Sequence, residues 1–388
     1  MKYLLIQSWQ DLGGAERQAI NLALFLQKQG DEVTIMCLTP PGRVAEICNE
    51  KNIKYISFPP RNNWFSIAYK VLHKTGIKKL SAEEIALNGL IHDLAKHIND
   101  NCYDICISYC AYANTVLGNA KANGADAVCI WSQRDAGFHD HTGGLQQKAA
   151  DSVDGCFSNS TSGSRWVKET YGLNPVLIYN GVKAASPEIS RQEWRKRLNV
   201  KETDVVCTMV ANLTPFKNHM FLLKVWKKLI QTNSRFILVF AGKYAAEYDN
   251  LRSYVEENDL SDHVRFLGVV KDVSGLWSAT DLCVHSAKAH CEGTPNAVIE
   301  ADMFGLPVIG PDLPEIREAV SPHCFPWLHE YENIDMAIDL IIKIADNRQL
   351  YDELGNANKE FALKTYDPES NLLKIKTYSE SFLSISDN

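Results

Sequence analysis

Cys291-Glu292-Gly293-Thr294-Pro295-Asn296-Ala297-Val298-Ile299-Glu300-Ala301 sets two carboxylates eight positions apart around the parts of a helix start. Thr294 reads as an N-cap and Pro295 as the first helical position, where a missing N–H costs nothing. Ala297, Val298, Ile299, Ala301 and Met303 carry the helix to Gly305, a C′ residue, and Pro307 bars its extension. Pro307-Val308-Ile309 then reads as a buried strand. The segment is loop, helix, strand, with Glu292 ahead of the helix and Glu300 inside it. Open N–H groups at such a start attract an anion such as phosphate. Glu300 stands among apolar residues, where a carboxylate needs partners, and sugar or ribose hydroxyls would supply them.

Bulk properties narrow the classes. A chain of 388 residues exceeds one ordinary core, so two domains are expected. Apolar content of 45% and charged content of 22% are those of a globular protein. The net charge of −7 argues against general nucleic-acid binding. No run of eighteen apolar residues exists, which excludes a transmembrane helix, and Met1 to Ser8 turns polar too soon for a signal peptide and reads as a first strand. The eleven cysteines are scattered, with Cys37, Cys106, Cys129, Cys207 and Cys283 in apolar strand-like runs. They read as buried, reduced thiols, which favours a reducing, cytoplasmic setting.

Strand and helix patterns alternate along the chain, which predicts an α/β fold of mostly parallel sheets covered on both faces. Strands are expected at Tyr3–Ser8, Val33–Leu38, Ile53–Phe58, Tyr103–Tyr109, Ala127–Ser132, Gly155–Asn159 and Val176–Tyr179, with helices at Ala15–Gln29, about Trp64–His73 and Ala82–Asn99. Lys183-Ala184-Ala185-Ser186-Pro187-Glu188 is polar, aperiodic and contains proline, so it reads as a linker. Beyond it, strands are expected at Val205–Val210, Phe236–Ala241, Val264–Leu267, Leu282–Ser286 and Pro307–Ile309. Helices follow at Asn333–Ala345, Gln349–Lys364 and Pro368–Phe382. The division is 1–183 for a first Rossmann-like domain and 184–366 for a second. Ligands of such sheets bind outside the C-terminal strand ends, here in a cleft between the domains.

Further motifs fall at those strand ends. Gly13-Gly14 follows the first strand and opens a helix, admitting a ligand to the backbone near a start that favours anions; a plain tight turn is the other reading. Asn212-Leu213-Thr214-Pro215-Phe216-Lys217 follows the strand Val205–Val210, where a lysine can neutralise a diphosphate. Val264-Arg265-Phe266-Leu267-Gly268-Val269-Val270 is a strand with a glycine turn. Ile130-Trp131-Ser132-Gln133-Arg134-Asp135 ends a first-domain strand on a cation, with His139 and His141 as loop residues, and Asn180-Gly181-Val182 precedes the linker. Pro60 to Phe65 with Lys70, His73, Lys74, Lys78 and Lys79 joins aromatic and basic residues, which suits an anionic membrane surface or a solvated helix face.

Taken together and in this order, the motifs resemble the retaining GT-B glycosyltransferases of group 1, or family 4, over nearly the whole chain. The resemblance implies two facing Rossmann-like domains, with a C-terminal helix, 367–386, packing back on the first. It implies transfer of a hexose or N-acetylhexosamine from a nucleotide-diphosphate sugar, a UDP-sugar foremost, to a glycan or lipid-linked acceptor with retention of configuration. Glu300 would bind the donor ribose and Glu292 would face the transferred sugar. The N–H groups of Asn296, Ala297 and Val298, with Thr294 beside them, would hold the diphosphate together with Lys217. The Gly13-Gly14 loop would close over donor or acceptor, and the backbone of Gly268 and Val269 would read the base. Two positions depart from the family: Asn212, at the donor-binding loop, stands where an arginine is usual, and Arg134, a cleft residue counted with the catalytic group and read otherwise as a surface ion pair, stands near where many members carry a histidine. With no Asp-x-Asp element at a strand end, neither metal nor other cofactor is expected. The implied setting is envelope or extracellular glycan assembly, in the cytoplasm or at the inner face of the membrane, with peripheral membrane contact and no nucleic-acid partner. A non-catalytic binder of nucleotide sugars or glycans, or a sugar-nucleotide epimerase on the same fold, is the alternative.

Overall fold

The computed structural model describes residues 1–8, 10–59, 82–137, 144–183 and 185–383. The helix expected at about Trp64–His73, the basic stretch from Pro60 to Lys79, and His139 and His141 lie outside the described residues, as does Ala184 of the linker. The chain divides into two compact units, Met1–Gly181 with Glu369–Asn388, and Val182–Pro368.

Among the described residues the first unit holds seven parallel strands: β1 Lys2–Gln7, β2 Glu32–Cys37, β3 Lys54–Ser57, β4 Ile105–Tyr109, β5 Val128–Gln133, β6 Gly155–Ser158 and β7 Val176–Leu177. They lie in the order β3-β2-β1-β4-β5-β6-β7. Side chains alternate across the sheet. Tyr3 and Leu5 join Ile35, Ile107 and the helix residues Ala19, Leu22 and Leu26 on one face. Leu4 and Ile6 join Met36, Cys106, Leu90 and Leu94 on the other. The final helix, Pro368–Glu380, adds Leu372 and Ile375 to the first cluster. Its Tyr378 hydroxyl accepts the Cys156 N–H and donates to the Cys156 carbonyl, both at 3.0 Å. Lys376 donates to Asp31, and the Tyr3 hydroxyl donates to Glu380 at 2.9 Å.

The second unit repeats the scheme with β8 Val205–Val210, β9 Phe236–Ala241, β10 Val264–Phe266, β11 Leu282–Val284 and β12 Val308–Ile309, parallel and in the order β10-β9-β8-β11-β12. Strand order reverses between β1 and β4 in the first sheet and between β8 and β11 in the second. Such a reversal opens a crevice at the C-terminal strand ends. The first crossing between units falls at Gly181–Val182, ahead of the polar linker. Val182 is buried, and its N–H donates to the Tyr366 carbonyl of the same second unit at 3.0 Å. The five strand-run cysteines named above are all buried, and all eleven are free. Among the described residues no helix is long and apolar enough to cross a membrane.

Within the second unit, the helix Asn296–Met303 ends at Gly305, whose φ of +72° suits a C′ glycine. The helix Arg348–Thr365 lies against that turn so closely that a Cβ on Gly355 would sit 2.1 Å from the Gly305 carbonyl oxygen. Gly355→Ala is therefore expected to cost about 1–3 kcal/mol in denaturant unfolding. An unchanged midpoint would mean that the helix backs away freely. His219, also in this unit, is buried and meets Phe240 edge-on at 4.9 Å. Burial, with Lys217 and His285 adding to it, lowers its pKa from 6.5 to about 3. The unfolded chain therefore takes a proton as pH falls below 6.5 while the folded chain does not, so stability is lost through that window. Between pH 7 and pH 5 the wild type is expected to lose about 2 kcal/mol more than His219→Asn; parallel losses would contradict the neutral buried ring.

Candidate active site

Lys217 and Glu292 come from opposite sides of the strand reversal. Lys217 closes the short 3-10 turn Pro215–Lys217 beyond β8, and Glu292 lies in the loop beyond β11. The turn is followed by Asn218 in the left-handed region, φ +54°, and then by the helix His219–Leu229. Three polar contacts stitch the two loops together. The Ser286 hydroxyl is 3.0 Å from the carbonyls of both Lys217 and Asn218, and the Lys288 N–H donates to the Phe216 carbonyl at 2.9 Å.

At the centre the Lys217 ammonium donates to Glu292 Oε1, and His285 Nε2 lies 3.5 Å from the same oxygen. The Lys217 and Glu292 side chains are only 20% and 11% exposed, so the pair is shielded from the screening that weakens surface ion pairs. Burial pushes the Glu292 carboxyl up, but Lys217 and His285 more than reverse it and hold it well below the usual carboxylate range. Glu292 is thus a fixed anion at neutral pH. Together with His285, Lys288 and Glu315 it lines a small hollow of about 10 Å³, open to solvent.

The helix start differs by one residue from the expected capping. Pro295, not Thr294, occupies the N-cap, with ψ 115°, and Asn296 is the first helical residue. The Pro295 carbonyl accepts the Val298 N–H at 3.1 Å and the Ile299 N–H at 3.3 Å. A proline fits there because its carbonyl, not its absent N–H, is what the cap uses. Of the three N–H groups expected to hold phosphate, that of Val298 is therefore turned back into the helix, which leaves Asn296 and Ala297 at the start. Thr294 is buried and Glu300 is half-buried on the helix.

Other expected residues have structural partners. The Asn212 oxygen accepts the Lys243 N–H at 2.9 Å, tying the loops after β8 and β9. Gly268 has φ +64°, its carbonyl accepts the Gly242 N–H at 2.8 Å, and Val269 is 74% exposed.

Gly13, Gly14 and Arg134 belong to the first unit. Gly13 caps the helix Gly14–Lys28, and its N–H donates to the Glu16 carboxylate at 3.1 Å. The anion expected at that helix start is thus already supplied by the chain itself. Burial raises the Glu16 pKa, while the backbone N–H groups of Glu16 and Gly13, and Arg134, oppose the rise. Arg134 donates to Asn180 Oδ1 at 2.5 Å and lies over the Tyr109 ring at 5.7 Å. It therefore holds the Asn180-Gly181 turn. Its Nε is buried without a partner, and burial draws its pKa below the usual value.

The motifs did not single out His285, Ser286 or His219. The available signal was positional: His285 and Ser286 are polar residues at the C-terminal end of an apolar strand run, where ligands of such sheets gather. Among the described residues no cluster of three or more His, Cys, Asp or Glu side chains is placed to hold a metal ion.

Comparison with known proteins accords with this architecture. The profile described as "Glycosyltransferase Family 4" matches residues 12–186, and that described as "Glycosyl transferases group 1" matches residues 190–361. An uncharacterized glycosyltransferase of Haemophilus influenzae is 23% identical over 354 residues, 89% of this chain and 91% of that protein. A UDP-Gal:alpha-D-GlcNAc-diphosphoundecaprenol alpha-1,3-galactosyltransferase of Escherichia coli is 28% identical over 194 residues, 47% of this chain and 49% of that protein. Anabaena HepE, crystallised with UDP-glucose, matches with a TM-score of 0.81 at 18% identity, over 98% of this chain and 100% of that one. With two parallel doubly wound sheets and matches to both profiles over most of its length, the chain belongs to the group 1, family 4 glycosyltransferases of the GT-B fold.

Proposed function

We propose that the chain transfers a hexose or N-acetylhexosamine from a UDP-sugar to a glycan or lipid-linked acceptor, with retention of configuration and without a metal ion. The observation that carries this reading is the partly buried Lys217–Glu292–His285 cluster at the strand reversal, set before the helix that bears Glu300. The UDP-glucose held by HepE and the UDP-galactose and lipid-diphosphate acceptor in the Escherichia coli enzyme's name support the donor and acceptor classes. A lipid-linked acceptor would place the protein in the cytoplasm, against the inner face of the membrane.

Each group then has a task. Glu300 accepts hydrogen bonds from the ribose hydroxyls. The N–H groups of Asn296 and Ala297 receive the diphosphate. An ammonium has three donors, so Lys217 can keep Glu292 and still reach a phosphate oxygen. As the bond from sugar to phosphate breaks, charge grows on the departing diphosphate, where Lys217 and the helix start oppose it. The acceptor hydroxyl attacks from the same face and gives its proton to that departing phosphate. Glu292, held ionised, orients the sugar and is not assigned the role of nucleophile.

Glu300→Ala is expected to raise the donor KM about 10- to 100-fold, the loss of hydrogen bonds to a charged group. Lys217→Ala is expected to lower kcat by about 10²–10³. Wild-type kinetics in both variants would sink the assignment. Transfer is also expected to persist in excess EDTA, and its abolition, restored by a divalent cation, would refute the metal-free reading.

A further inference from the structure

Asp302 lies on the helix Asn296–Met303, two positions beyond Glu300, and is 0% exposed. Among the described residues neither of its carboxyl oxygens has a hydrogen-bond partner. The polar side chain that the facing helix Arg348–Thr365 buries is, by contrast, bonded at both ends. Asn358 donates to the Leu306 carbonyl at 3.4 Å and accepts the Ser321 N–H and the Cys324 thiol, both at 3.0 Å. Burial, with nothing to offset it, raises the Asp302 pKa well above the usual 3.8.

The surrounding elements bring it no opposite charge among the described residues. Cys283 on β11 and Cys324 in the 3-10 segment Pro322–Trp327 feel its charge, and burial pushes both thiols up. On Arg348–Thr365, Arg348 pairs with Asp352 and Glu353 with His323, while Lys359, Glu360 and Lys364 are exposed. On the helix Pro314–Ala319, Arg317 pairs with Asp312, Glu315 lies 3.8 Å from His290, and Glu318 is half-buried. An ionised carboxylate left unpaired in such a core is too costly to stay there. Asp302 can shed its proton only if the helix leaves its seat, and Asn296, Ala297 and Glu300 then leave with it.

We propose that donor binding is coupled to a proton on Asp302: the helix grips the donor while this carboxyl is protonated, and its ionisation unseats the helix and gives the proton to solvent. This rests on the nucleotide-sugar reading above and adds a pH control to it. The coupling is reciprocal, so a donor that holds the helix in place draws a proton back onto Asp302. The sign for folding follows. Above pH 3.8 the unfolded chain gives up this proton and the folded chain keeps it, so stability falls as pH rises.

Calorimetric titration of the full chain with UDP, beside denaturant unfolding, tests the coupling in the wild type, Asp302→Asn and Asp302→Leu. Both substitutions keep the size of the side chain and remove its proton. Between pH 6 and pH 9 the wild type is expected to lose about 10-fold in UDP affinity beyond any change the two variants share. Its unfolding midpoint is expected to fall relative to theirs over the same range. Asp302→Leu carries the comparison alone if the asparagine amide unfolds the chain. If unfolding shows the difference but UDP affinity changes in parallel in all three, Asp302 bears only on the core and the coupling is overturned. Parallel behaviour in both measurements overturns the buried proton as well. A wild type that holds UDP at no pH overturns the nucleotide-sugar reading, and the coupling with it.

Discussion

A carboxylate taken out of water must be paired or give up its charge, and Glu292 keeps its charge only because Lys217 and His285 meet it. The demand is mutual, since removing either end of such a buried pair leaves the other uncompensated, at a cost of about 3–5 kcal/mol. Much of the local backbone serves this requirement. The 3-10 turn with its left-handed Asn218 aims Lys217 inward. Ser286 occupies the carbonyls that the turn leaves open, and so ties the turn to the loop that carries Glu292.

The pair can form because of topology. Adjacent parallel strands β8 and β11 send their connections to opposite faces of the sheet, so the loops beyond them part at the C-terminal edge. A ligand entering there meets main-chain N–H groups from one loop and side-chain charge from both. The other strand ends are locked to this point by hydrogen bonds from the Ala211 N–H to the Ala241 carbonyl, the Lys243 N–H to Asn212 Oδ1 and the Gly242 N–H to the Gly268 carbonyl, which form a continuous rim from β8 to β10. The same parallel-sheet logic built the first unit, but its first helix start is filled by Glu16 from its own first turn.

The strands were largely legible in sequence because a buried parallel strand is an apolar run bounded by turns, and β8 and β9 fall where that pattern puts them. Helices were less so. Arg43–Glu50, Ala111–Ala122, Gly144–Ser152 and Thr161–Tyr171 were implied by the alternation but not located; Ala111–Ala122 and Gly144–Ser152 are rich in small or polar residues and carry little apolar periodicity of their own. In the site, Lys217, Glu292 and Glu300 were legible because their spacing to glycine, proline and strand ends is local. The pairing of Lys217 with Glu292 was not. Seventy-five residues separate the two, and only the register of β8 against β11 brings them together. The capping slip at Thr294 and Pro295 has a smaller cause: both residues suit a helix start, and the choice between them is made by a single ψ angle.

The helix Asn296–Met303 shows what a carboxylate's identity leaves undecided. Glu300 and Asp302 are two residues apart, which on a helix puts them on nearly opposite faces. Glu300 stays half-buried, whereas Asp302 is fully buried with neither oxygen hydrogen-bonded. Burial alone raises the Asp302 pKa well above its usual value. Glu292 is largely shielded from water too, and ends ionised because a lysine and a histidine converge on it. Three acids within eleven positions therefore have three settings: an ion-paired carboxylate, a half-buried one on the helix, and a core acid whose pKa burial raises. The chemistry open to each follows from what surrounds it. Only the first has a fixed negative charge beside a cation, which is what orienting a sugar against a departing diphosphate demands.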